Sequence, residues 1–141
     1  MSIRVHPYLV TNGNGQEAVK FYQEALDAEI VGVQTFGEMP PEPGFTLPEE
    51  AKNLVMHAML KIGDSVLMLS DNFPGQPYQL GDQVTIAILL DTGDQSKKVF
   101  DQLKDGGTII MPLQETSWSP LYGQIKDKFG ITWQISTDPT H

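Results

Sequence analysis

Apolar positions along this chain recur at two spacings, one helical and one alternating. Between Gly15 and Ala28, the residues Ala18, Tyr22, Ala25 and Leu26 fall on one helical stripe, with Val19 and Phe21 flanking it. Asn14 and Glu17 precede it at capping-box spacing, so the pattern predicts a helix over 15–28 with Asn14 as its cap. A second stripe of Val99, Phe100 and Leu103 predicts a helix that starts near Asp94, a suitable cap, and ends at Gly106-Gly107. β-rich runs surround the helices: 3–10, 30–36, 84–90 and 108–111, with hairpins over 55–71 and 121–138. Gly63-Asp64 and the stretch 127–130 supply the hairpin turns.

The order of these elements repeats. Tyr22 and Ala25 match Phe100 and Leu103 at an offset of 78, and Ile30-Val31 matches Ile109-Ile110 at 79. Each half reads strand, helix, strand, then a hairpin. Two copies of one such unit are expected to bury faces against each other and to enclose a concave, ligand-sized space. The chain is therefore predicted to be one domain over 1–141, with module one over 1–73 and module two over 80–138. The halves differ chiefly in GEMPPEPGFTLPEEAKN, residues 37–53, where Pro40, Pro41, Pro43 and Pro48 exclude a central strand. This insertion reads either as a lid or as a surface excursion.

Alternation along each strand assigns side chains to faces. Leu9, Ala58, Leu60, Ile62, Leu67 and Leu69 are expected under the first helix. That leaves His6, Tyr8, Val10, His57, Met59, Lys61, Val66, Met68 and Ser70 on the opposite, concave face. The corresponding set in the second half is Thr85, Ala87, Leu89, Tyr122, Gln124, Thr132, Gln134 and Ser136, with Trp118 beside Tyr122. This mixture of thioethers, aromatic rings and hydrogen-bonding groups suits a small-molecule pocket.

Composition removes several alternatives. The 141 residues carry no cysteine, so disulfides, thiolate nucleophiles and zinc–thiolate clusters are excluded. A formal net charge of −9, with nine scattered Lys and Arg, argues against nucleic-acid binding. No apolar run approaches the ~20 residues of a membrane span, and MSIRVHPYL lacks a signal-peptide pattern, so a cytoplasmic protein is expected. Gly13-Asn14-Gly15 lies between a strand and a helix as a phosphate loop would. It lacks the third glycine and reads as turn and cap.

The segments PYLVTNGNGQEAVKFYQEAL, MHAMLKIGDSVLMLSD and MPLQETSWSPLYGQIKDKFGITWQI resemble the vicinal oxygen chelate superfamily, which includes glyoxalase I, the bleomycin and fosfomycin resistance proteins and extradiol dioxygenases. Within it they are similar to the PhnB-like subgroup, to which the label demethylubiquinone methyltransferase is often attached. The resemblance implies an α+β fold of two βαβββ modules, a curved mixed β-sheet cavity with helices outside. It also implies a divalent metal held from the first and last strand of each module. The matching positions here are His6, Met68, Thr85 and Gln134, of which only His6 and Gln134 are candidate ligands. His57 lies on a strand separated from that of His6 by another, too far for both to ligate one ion. The metal site is expected to be eroded and no cofactor is expected. A metal-dependent lyase, isomerase or dioxygenase is the alternative.

The favoured reading is a protein that binds a small organic molecule through His6, Tyr8, His57, Met59, Met68, Ser70, Thr85, Trp118, Tyr122, Gln124 and Gln134. A homodimer is expected. Methyl transfer is not expected, because an adenosyl cofactor normally requires a doubly wound sheet.

Overall fold

The computed structural model describes residues 3–40 and 42–139, so Pro41 of the insertion lies outside the described residues. The chain divides into two compact units, residues 1–78 and 79–141. The first contains β1 (Tyr8–Thr11), α1 (Gly15–Leu26), β2 (Glu29–Thr35), β3 (Val55–Ile62) and β4 (Ser65–Asp71). The second contains β5 (Ile86–Leu90), α2 (Gly93–Leu103), β6 (Thr108–Gln114), β7 (Tyr122–Lys126) and β8 (Thr132–Thr137). Each forms a four-stranded mixed sheet, in the order β1-β4-β3-β2 and β5-β8-β7-β6. The outer pairs β1/β4 and β5/β8 are parallel, and the remaining pairs are antiparallel.

In the first unit α1 lies against the sheet and buries Ala18, Val19, Tyr22, Ala25 and Leu26 over Leu9, Ala58, Leu60, Leu67 and Leu69. Burying a Leu-sized side chain contributes about 1.5–3 kcal/mol. This stripe therefore outweighs the modest cost of the β-branched and aromatic residues in the helix. In the second unit α2 buries Val99, Phe100 and Leu103 beside Ile125, Trp133 and Ile135. Gly123 permits this packing, because a Cβ there would sit 2.8 Å from the Phe100 ring and 3.0 Å from the Met111 carbonyl.

The helix caps differ from expectation. Asn14 makes no side-chain cap; its Oδ1 accepts instead from the Asn12 N–H at 3.2 Å. The start of α1 is served by Asp71 at the end of β4. Its Oδ1 accepts from Gly15 N–H at 2.8 Å, Gly13 N–H at 3.0 Å and the Thr11 hydroxyl at 2.7 Å, while Oδ2 accepts from Val55 N–H at 2.8 Å. A carboxylate suits the positive end of a helix, and a Cβ at Gly15 would meet Asp71 Oδ2 at 2.6 Å. The Gly13-Asn14-Gly15 turn therefore does gather amides around an anion, and the anion is the protein's own. α1 ends two residues earlier than predicted because Asp27 adopts the left-handed conformation, φ 51°.

In α2 the cap is Thr92, not Asp94. The Thr92 hydroxyl accepts from Gln95 N–H and the Gln95 side chain accepts from Thr92 N–H, a complete capping box. Asp94 falls in the first turn, where its charge still favours the dipole.

The strand ends also shift. β1 begins at Tyr8, not Ile3, since Pro7 has no N–H to give a ladder; its carbonyl does accept from Met68 N–H at 3.1 Å. β5 begins at Ile86, and β6 extends to Gln114. Both hairpin turns are as expected, with Gly63 at φ 56° and Gly130 at φ 88°. In the second, Asp127 Oδ1 accepts from Phe129 and Ile131 N–H at 2.9 and 3.0 Å, and Oδ2 from Trp133 Nε1–H at 2.7 Å.

Candidate functional site

The face of each sheet away from its helix carries the candidate residues. In the first unit, register places Tyr8 opposite Met68, Met68 opposite Met59, and Ala58 opposite Leu69. Tyr8, Met68, Met59, Ser70 and His57 therefore share one face across β1, β4 and β3. The Tyr8 and His57 rings are tilted by 30° with centroids 6.0 Å apart. Met59, Met68, Ser70 and His57 are half-buried, while Tyr8 is exposed. His6 lies outside the β1 ladder and is exposed. The structure thus joins four strand residues to Tyr8 and leaves His6 outside the ladder, two residues before β1.

In the second unit the candidates are bonded in a row. Gln124 Nε2–H donates to Tyr122 Oη at 2.9 Å, Tyr122 Oη–H donates to Gln134 Oε1 at 2.6 Å, and Gln134 Nε2–H donates to Thr85 Oγ1 at 2.8 Å. The direction is fixed by the phenol. Having accepted from Gln124, its single proton goes to Gln134, and the Gln134 nitrogen must then face Thr85. The row arises because Gln124 pairs with Gln134 and Tyr122 with Ser136 in the β7/β8 register. Trp118, 58% exposed, meets Tyr122 edge-on at 5.2 Å and 76°.

Such a row presents neutral polar ends. The Thr85 hydroxyl proton and the Gln124 amide oxygen are the two ends of the row, which the row itself does not use. They suit carbonyl, hydroxyl or amide groups of an organic molecule and supply no nucleophile.

The same geometry tests the implied metal. Gln134 has one ligating atom, Oε1, and it accepts the Tyr122 proton. Thr85 receives the Gln134 amide, and Met68 is a thioether, a poor partner for Mg²⁺, Mn²⁺ or Zn²⁺. His6 is the remaining good donor. Among the described residues no three His, Cys, Asp or Glu side chains form a metal-binding group. The donor set does not fit a divalent cation.

Sequence reasoning found the members of the polar row but not their bonding. It placed Asp127 in a turn without its bonds and missed the role of Asp71, whose donors at Gly13 and Gly15 lie 58 and 56 residues away in sequence. Among the described residues no helix is long and apolar enough to cross a membrane.

Comparison with known proteins agrees with this architecture. The family model for the Glyoxalase/Bleomycin resistance protein/Dioxygenase superfamily matches residues 4–135. Protein YjdN of Escherichia coli K12 is 34% identical over 140 residues, covering 92% of each chain. The crystal structure of protein PA1353 from Pseudomonas aeruginosa is 33% identical, with a TM-score of 0.86 over 97% of this chain and 98% of that one. The PhnB protein from Bacillus cereus, at 24% identity, shares the fold with a TM-score of 0.77 over 96% and 99%. The βαβββ repeat, the strand order and the match across nearly the whole chain lead to one conclusion: this protein belongs to the glyoxalase/bleomycin resistance/dioxygenase superfamily.

Proposed function

We propose that this protein binds a small organic molecule on the helix-free faces of its sheets, without a metal ion. The observation that carries this reading is the Tyr122–Gln134 hydrogen bond of 2.6 Å, which builds the implied ligand Gln134 into a row of neutral side chains. The polar row from Gln124 to Thr85 offers neutral donors and acceptors beside Trp118 and Tyr122. Met59, Met68, Tyr8 and His57 offer polarizable and aromatic surface on the other sheet. Methyl transfer is not favoured, since both sheets are mixed and four-stranded rather than doubly wound. A cytoplasmic homodimer is part of the same proposal.

Elemental analysis of protein purified without an affinity tag tests the metal-free reading. Zn, Ni, Mn and Fe are expected far below one equivalent per chain. Near-stoichiometric metal that His6→Ala removes would overturn it in favour of a metal-dependent lyase, isomerase or dioxygenase. Thermal-shift screening with flat aromatic and quinone-like compounds is expected to give hits that Thr85→Ala weakens.

A further inference from the structure

The insertion over 37–53 is anchored at both of its stems. Phe36 N–H donates to the Leu54 carbonyl at 3.1 Å and Gly37 N–H to the Lys52 carbonyl at 3.0 Å, so its two stems are tied together. A Cβ on Gly37 would sit 2.7 Å from that Lys52 oxygen, so the approach requires glycine. Short 3₁₀ turns at Phe36–Glu38 and Glu49–Ala51 shape the two ends, and Ala51 is fully buried. Prolines along the segment fix φ and resist its collapse.

Beneath it the first unit holds a cavity of about 480 Å³, within the roughly 300–1,000 Å³ typical of small-ligand sites. Phe36 and Phe73 meet edge-on at 5.3 Å and 81°, and Phe45 is tilted against Phe73 at 6.5 Å. Met39, Met56 and Leu47 complete the apolar wall. Phe45 and Met39 stay 53% and 46% exposed, a standing cost that an occupant would relieve.

Charge and backbone define the occupant. Glu42 and Lys52 at the lining carry opposite signs, and Lys52 already pairs with Glu49 at 2.7 Å. An acid would meet the Glu42 carboxylate at the lining and a Lys52 charge already offset by Glu49. The N–H groups of Phe36, Gly37 and Met39 are bonded within the segment, which leaves them unavailable to pair with an added peptide strand. We propose that this cavity is a second binding site, additional to the sheet faces, for a neutral, flat aromatic small molecule seated in the corner formed by Phe36, Phe45 and Phe73.

The test uses the full chain and the neutral fluorescent probe N-phenyl-1-naphthylamine, with anilinonaphthalene sulfonate as its anionic counterpart. The neutral probe is expected to bind saturably and more tightly than the sulfonate. Phe45→Ala, at an exposed position that should not impair folding, is expected to weaken it by about tenfold, as is the cavity-filling Met56→Trp. Thr85→Ala and His57→Ala, outside the cavity lining, are expected to leave the Phe45-dependent component unchanged. With ¹³C-methyl methionine, the Met39 and Met56 signals should shift on titration, and Phe45→Ala should suppress those shifts. Absence of saturable binding, preference for the sulfonate, insensitivity to Phe45→Ala, or shifts confined to Met59 and Met68 would each overturn the assignment. The Phe45→Ala effect and the Met39 and Met56 shifts report on the cavity alone, so they stand or fall separately from any ligand on the sheet faces.

Discussion

Replacing Asp71 by asparagine keeps the shape of the side chain but sets an amide N–H₂ group against one of the N–H donors it now serves. With Oδ1 still facing Gly13 and Gly15, the new amide nitrogen opposes Val55 N–H, and that buried donor is left unpaired. Asp71→Asn is expected to lower stability by about 2–3 kcal/mol, read as a drop in the urea midpoint at unchanged slope. Tyr122→Phe removes the middle of the polar row. Gln134 and Gln124 are half-buried and regain water, so the expected loss is only about 1 kcal/mol, checked by the same titration. Alternation along the strands made the row's members legible, because Gln124, Gln134 and Tyr122 fall on one face by period two. Their bonding was not legible, since it depends on the register that sets Gln124 opposite Gln134.

At the scale of elements, both helices were readable from their apolar stripes, and their ends were not. A cap is decided by one or two hydrogen bonds, and for α1 the bonding group comes from a residue 56 positions away. For α2 the Thr92-x-x-Gln95 pattern was present, but Asp94 inside it competed as a signal. Thr92→Ala should therefore cost about 1 kcal/mol, whereas the same substitution at Asn14 should cost much less. The left-handed Asp27 gives a test of opposite sign: Asp27→Gly is expected to raise stability by about 0.5–1 kcal/mol, seen as a higher thermal midpoint. The strand starts at Tyr8 and Ile86 were overextended in sequence because β-branched residues continue past the point where pairing ends.

For the molecule as a whole, the offset repeat was the strongest signal, and the two sheets share one strand order. The aromatic cavity of the first unit escaped notice because Phe36, Phe45 and Phe73 come from three separate segments. Edge strands carry exposed apolar side chains, including Val31 at 58%, Ile110 at 52% and Leu89 at 67%, an arrangement that favours pairing with a second copy. Light scattering at micromolar concentration is expected to give twice the 15.6 kDa chain mass, and the chain mass itself would count against a dimer. The two buried carboxylates differ in reach. Asp127 collects donors two, four and six residues ahead, so its turn can close on its own. Asp71 collects donors 16, 56, 58 and 60 residues away, so one carboxylate ties the start of β3 to the turn between β1 and α1. The first unit should consequently open as one event. In native-state hydrogen exchange the Gly15 and Val55 amides should show matching opening free energies, while Phe129 and Ile131 follow a separate one. Val55 exchanging far faster than Gly15 would show that the carboxylate lets its donors go one at a time.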